Sequence, residues 1–162
     1  MKKLIILRHG KSDWSMEDED DFDRKLTNRG ENNAAEIALF VIKKEGKPDL
    51  IFSSNARRAA DTARIFAVNS EIDSANILFD NHLYLASGTS VLRLIKSMDD
   101  KVNFLLIVGH NPGLTDLINQ LGVRLDNLPT ASGLCFYFET DSWQQINIKN
   151  AHFKWFQPAR NL

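Results

Sequence analysis

Three short stretches of the sequence place arginine, histidine and hydroxyl side chains directly after an apolar run: Leu7-Arg8-His9-Gly10, Ser53-Ser54-Asn55-Ala56-Arg57-Arg58 and Gly109-His110-Asn111-Pro112. Guanidinium groups carry planar, permanently charged forks of donors that match phosphate oxygens. Imidazole serves a phosphoryl group either as nucleophile or as hydrogen-bond donor. Two histidines and up to three arginines that can meet therefore read as a phosphoryl site. Zinc is the competing chemistry for the histidines, but arginines beside the ligands would repel a cation, and no HxxxH or CxxC spacing exists. His82 and His152 lie outside these stretches and read as structural or surface residues. Cys135, the only cysteine, reads as a core thiol, so neither a disulfide nor a multi-cysteine metal cage is available.

The apolar runs at residues 4–7, 50–52 and 104–108 are continuous rather than alternating, the pattern of strands buried on both faces of a parallel sheet. Each is followed by a helical pattern. Ala34, Ile37, Ala38, Val41 and Ile42 recur at helical spacing before Gly46 and Pro48. Residues 56–66 are alanine-rich, Val91, Leu92, Ile95 and Met98 share a helix face, and Leu114, Leu117, Ile118 and Leu121 form a stripe that Gly122 can end. Asn111 and Pro112 fit an N-cap and a first helical position, which sets His110 beside a helix N-terminus that favours an anion. Residues 134–138 and 143–149 read as two strands joined by a tight turn at 139–142. The expectation is one α/β domain over residues 1–162, a three-layer α/β/α sandwich with a mostly parallel mixed sheet and an antiparallel edge near the C-terminus. Ligands collect beyond the carboxyl ends of such strands, where all three stretches fall.

The 162 residues are 43% hydrophobic and 25% charged, enough for one core. A net charge of -1 argues against nucleic acid, whose binders carry a basic excess. No segment is apolar for long enough to span a membrane, and the four apolar residues after Lys2 and Lys3 fall short of the roughly 7 to 15 of a signal peptide. A cytoplasmic location is expected. The acidic run at 17–23 reads as a solvated loop.

With these residues in place, the chain resembles the histidine phosphatase superfamily, with its phosphoglycerate mutase-like fold, and within it the SixA-type phosphohistidine phosphatases. Leu7-Arg8-His9-Gly10 is similar to the signature after the first strand, and Asp23-Arg24-Lys25-Leu26-Thr27-Asn28-Arg29-Gly30 to a D-R-x-L-T-x-x-G segment. Ser54, Arg58, Ala59 and Thr62 match an S-x-x-x-R-A-x-x-T segment, and Val108 to Gly113 resembles the second-histidine motif. The resemblance implies that His9 is the nucleophile and that Arg8, Arg58 and His110 form the phosphate pocket. Asn111 is counted with the substrate-binding residues. Arg58 is preferred to Arg57 because it keeps four-residue spacing to both Ser54 and Thr62. Asp61 stands where the family often has glutamine.

The implied scheme needs no metal or cofactor: neutral His9 attacks phosphorus, water hydrolyses the phosphohistidine, and the pocket holds the equatorial oxygens. Relatives acting on esters often supply an acid from an L-x-E stretch. The corresponding Leu83-Tyr84-Leu85 has none, with Asp80 or another carboxylate as the remaining source. An alkoxide leaves poorly, near hydroxide with its parent pKa of about 15.7, whereas imidazole with a conjugate-acid pKa of about 6.5 leaves readily. Phosphohistidine on a protein, a phosphorelay or phosphotransfer component, is the expected substrate. A small phosphomonoester, or a non-catalytic phosphate-binding module, is the alternative.

Overall fold

The computed structural model describes residues 1–14 and 20–159. Six strands appear in chain order: β1 (Lys2–Arg8), β2 (Leu50–Ser53), β3 (Ile77–Phe79), β4 (Phe104–Gly109), β5 (Gly133–Phe138) and β6 (Ala151–Gln157). Four helices intervene: α1 (Asn28–Glu45), α2 (Arg57–Asn69), α3 (Gly88–Lys96) and α4 (Gly113–Gln120). The sheet order is β3-β2-β4-β1-β5-β6. β3, β2, β4 and β1 run parallel, while β5 and β6 are antiparallel at one edge.

Both faces of the sheet are covered, which is why the parallel strands carry unbroken apolar sequence. Leu4 and Ile6 of β1 join Leu105 and Ile107 under α3 and α4; Ile5 and Leu7 join Leu106 and Val108 under α1 and α2. The result is the three-layer α/β/α sandwich with a mixed sheet that the sequence pattern implied. Parallel register aligns the strand ends: Arg8 is level with Gly109, and Ser53 with Val108.

The expected strand at 143–149 is not formed. Residues 143–145 make one 3-10 turn, and the edge strand is β6, reached by a connection over residues 139–150 rather than a tight turn. Trp143 explains the difference. It is fully buried, its indole Nε1 donates to the Val102 carbonyl at 2.8 Å, and its backbone N donates to Asp100 Oδ1 at 2.9 Å. Anchored there, the chain cannot run along β5, and Ile146 enters the core while Ile148 stays exposed. β3, only three residues long, carries too little pattern to be read from sequence.

The loop after β1 lies against the start of α1 through two glycines. A Cβ on Gly10 would come within 2.7 Å of the Gly30 carbonyl oxygen, and one on Gly30 within 2.2 Å of the Lys11 carbonyl oxygen. Helix propensity alone would make Gly30→Ala stabilising by about 1 kcal/mol. The backbone clash reverses that sign, and we expect a loss of roughly 1 to 3 kcal/mol in urea unfolding. An unchanged or raised midpoint would show that the two segments can separate without cost.

Candidate active site

Arg8 ends β1, Ser53 ends β2 and Gly109 ends β4, and the chemistry begins one residue further on. The ladder continues into these loops, with His9 N donating to the Gly109 carbonyl at 3.2 Å and Ser54 N to the Val108 carbonyl at 3.0 Å. His9, Arg58 and His110 are therefore fixed by sheet geometry, and each is no more than 5% exposed. With Arg8 and Asn111 they line one cavity of about 450 Å³, and the His9 and His110 ring centroids are 5.2 Å apart.

Two contacts set the state of His9. Nδ1 lies 2.7 Å from the Gly10 carbonyl oxygen, which can only accept, so Nδ1 carries the proton. Nε2 then has the lone pair, and it accepts from Arg58 Nε at 3.4 Å. Burial is the largest influence on the ring and lowers its pKa. The bond to Gly10 opposes this, the charges of His110, Arg58 and Arg8 add to it, and the value is pushed down to about 3. His9 is thus neutral at neutral pH with a nucleophilic Nε2.

Ser54 and Thr62, four residues on either side of Arg58, act on the two histidine loops. Thr62 Oγ1 accepts from Gly10 N at 3.0 Å and donates to the Arg58 carbonyl at 2.7 Å, tying the His9 loop to α2. Ser54 Oγ accepts from Ala56 N at 3.2 Å and lies 2.8 Å from His110 Nε2. When the hydroxyl donates its proton to Nε2, the proton of a neutral His110 is on Nδ1. Burial first, and then Arg58, lower His110 to about 3 as well. His110 Nδ1 and Arg8 Nε are buried without a protein partner among the described residues; a phosphoryl group can accept from Arg8 Nε, and from His110 Nδ1 in the tautomer that carries its proton there.

The antiparallel edge contributes a wall that the sequence did not reveal. The approach to β5 brings residues 127–132 to the end of β1, where Ala131 N donates to the Arg8 and His9 carbonyls and Arg8 Nη1 donates to the Leu128 carbonyl at 3.1 Å. Asn111 lines the cavity, but its amide is committed to protein. Nδ2 donates to Asn127 Oδ1 and the Leu128 carbonyl, and Oδ1 accepts from Thr115 N and Oγ1. The N-cap position belongs to Pro112, and Asn111 caps α4 from one residue further out.

Other candidates separate cleanly. Arg57 is half exposed and pairs with Asp61 at 3.7 Å, and Asp61 also accepts from Arg64; neither Arg57 nor Asp61 lines the cavity. Asp80 caps the turn at Asn81–Leu83 by accepting from His82 N and likewise lies outside the cavity lining. Of the acidic run, residues 17–19 lie outside the described residues. Asp21 is not a purely solvated charge: it is the carboxylate that lines the cavity among the described residues, bound to Arg24, Arg58 and the Tyr84 hydroxyl. Burial alone would raise its pKa, but those hydrogen bonds and the Arg58 charge outweigh it and hold Asp21 near 2. Arg24, stacked 3.3 Å over the exposed Trp14 ring, completes the mouth. Arg24 falls in the D-R-x-L-T-x-x-G segment, whereas the only sequence signal for Asp21 is its place in the acidic run, three residues before Arg24. No group of three or more metal-ligating side chains is found among the described residues.

The sequence and the fold have known counterparts. Residues 4–82 match the family model for the histidine phosphatase superfamily, branch 1. The SixA structure from Agrobacterium tumefaciens superposes with a TM-score of 0.81 at 27% identity, covering 97% of both chains. The protein histidine phosphatase SixA complexed with tungstate gives 0.82 at 18% identity, covering 98% of each, a likeness of fold. A 2,3-bisphosphoglycerate-dependent phosphoglycerate mutase of Borrelia garinii subsp. bavariensis is 43% identical over 68 residues, 40% of this chain and 27% of the mutase. The chain is similar to the histidine phosphatase superfamily over residues 4–82, and its structure is SixA-like.

Both histidines titrate lower in the folded state, near 3, than the ordinary 6.5 of the unfolded chain. Between these values the unfolded chain binds more protons, so stability is fully present above about pH 6.5 and falls as pH drops toward 3. Urea midpoints are expected to decline through this window, and to decline less for His110→Gln. Imidazole ¹⁵N shifts should show His9 still neutral, with the proton on Nδ1, at pH 5. A His9 titration near 6.5 would refute the burial argument.

Proposed function

We propose that the protein is a metal-independent phosphatase that removes phosphate from phosphohistidine on another protein, through a phosphohistidine formed on its own His9. The observation that carries this reading is the neutral, oriented His9 ring, with its Nδ1 proton on the Gly10 carbonyl and its Nε2 lone pair facing the arginine side of the cavity. Nε2 attacks phosphorus as the bond to the leaving nitrogen breaks. The leaving ring departs as neutral imidazole when its other nitrogen is protonated. Phospho-His9 is then an imidazolium whose Nδ1–H stays on Gly10. Water attacks phosphorus, the P–N bond breaks, dihydrogen phosphate forms and neutral His9 returns.

Arg8, Arg58 and His110 supply donors for the equatorial oxygens, so their contribution is positioning and charge stabilisation. Asn111 supports the pocket by holding Leu128, whose carbonyl orients Arg8. No step in this scheme calls for a metal ion. A cytoplasmic setting fits a phosphorelay or phosphotransfer partner, and no helix among the described residues is long and apolar enough to cross a membrane. The partial likeness to a phosphoglycerate mutase favours a second reading, a phosphomonoesterase acting on a small substrate.

Brief incubation with labelled phosphohistidine protein should leave acid-labile label on the wild type and none on His9→Ala; equal labelling would sink the covalent scheme. Phosphohistidine protein should turn over faster than a panel of phosphate esters, and the opposite ranking would support the phosphomonoesterase. Arg58→Ala is expected to lower kcat/KM by roughly 10² to 10³-fold. Arg57→Ala, losing only an exposed ion pair, should change it by about twofold or less.

A further inference from the structure

Arg58 already holds an anion in the free protein. Its Nη1 donates to the main-chain oxygen of Asp21 at 2.7 Å, its Nη2 to Asp21 Oδ2 at 3.2 Å, and its Nε to His9 Nε2 at 3.4 Å. A guanidinium grips a phosphate bidentately through one of two edges, Nη1 with Nη2 or Nε with Nη2. Asp21 takes the first edge, with its main-chain oxygen on Nη1 and its Oδ2 on Nη2, and His9 faces Nε on the second. A phosphoryl group that takes the first edge displaces Asp21, and one that takes the second shares Nη2 with the Asp21 carboxylate.

The two partners are unequally fixed. The Arg58 side chain is 3% exposed and its carbonyl is held by Thr62, whereas the Asp21 side chain is 37% exposed on a three-residue turn. Asp21 is therefore the group that yields. Once displaced it still has partners for its charge, because Arg24 Nε donates to Oδ1 at 3.0 Å and the Tyr84 hydroxyl donates to Oδ2. Its low pKa keeps it ionised across the neutral range, so it competes as a full charge.

We propose that Asp21 is an internal anionic ligand of Arg58 that competes with the phosphoryl group and so sets how tightly the site holds orthophosphate. The proposal rests on the reading of Arg58 as a phosphate ligand. Competition weakens every phosphoryl ligand, but a protein substrate has contacts at the cavity mouth to offset it. Orthophosphate has none, so the product leaves and does not accumulate in the pocket. Asp21 is in this sense a specificity-determining residue rather than an acid or base for the reaction.

The test is orthophosphate binding by isothermal titration calorimetry, which needs no knowledge of the substrate, on wild type, Asp21→Asn, Arg58→Ala and the double variant. Asp21→Asn is expected to bind orthophosphate roughly tenfold more tightly, the scale of one charge-assisted hydrogen bond. In the Arg58→Ala background the same substitution should have no effect, because the competition acts through Arg58. Unchanged or weaker binding by Asp21→Asn, or an effect that persists without Arg58, overturns the proposal alone. If Arg58→Ala binds orthophosphate as well as the wild type, the phosphate-site reading of Arg58 falls, and the proposal with it. Arg58→Lys replaces Arg58→Ala should the latter not fold, since it removes the bidentate edges while keeping the charge.

Discussion

The bond from His9 Nδ1 to the carbonyl of its own neighbour, Gly10, is the constraint on which the rest of the site depends. With the proton there, the lone pair lies on Nε2; with the other tautomer the lone pair would face the Gly10 carbonyl. A single neighbouring carbonyl would be a weak guide were Gly10 free to turn. It is not free. Its N–H is held by Thr62, and its Cα packs so closely on Gly30 that no side chain fits between them. The tautomer is thus fixed by α2 on one side and by the start of α1 on the other. A buried polar group left unmet costs about 1 to 3 kcal/mol, which opposes rotation of the ring away from Gly10.

The same economy of parts links the two strands beside β1. Thr62 and Ser54 belong to one segment after β2, yet one holds the β1 loop and the other holds the histidine after β4. Arg58 lies between them in sequence and meets His9 in space. The order β2-β4-β1 makes this possible, because it brings all three carboxyl ends to one edge within a few ångströms of register. Burial then supplies the chemistry. It drives both imidazoles neutral beside two guanidinium groups, so the pocket combines an imidazole lone pair with guanidinium donors.

What could be read from the sequence follows from these contacts. The parallel strands announce themselves by unbroken apolar runs, and the residues after them are polar because they leave the sheet; His9, Arg58 and His110 were legible for that reason. The four-residue spacing that selects Arg58 over Arg57 has a physical basis, since both flanking hydroxyls are used and Arg57 faces outward. The misplaced edge strand came from an alternation, Ile146 and Ile148, that a buried tryptophan interrupts. Asn111 was legible as a cap but not as the brace for Leu128, which depends on a long-range contact. Asp21 could not be picked out of a charge run, because only the tertiary fold tells a solvated carboxylate from one turned into a cavity.

Asp21 also alters the argument about the leaving group. The sequence shows no acid at Leu83-Tyr84-Leu85, and Asp80 is occupied in capping its own turn. A carboxylate in the cavity could have restored a proton donor. Its environment works against that role: two arginines and a tyrosine hydroxyl all donate to it, which stabilises the ionised form and pushes its pKa to about 2. A group of that strength holds no proton at neutral pH to give to an alkoxide. The cavity therefore contains a carboxylate without containing a general acid among its described residues. Chemistry that needs no such acid, the release of an imidazole already protonated at its far nitrogen, remains the better match to the side chains that are there.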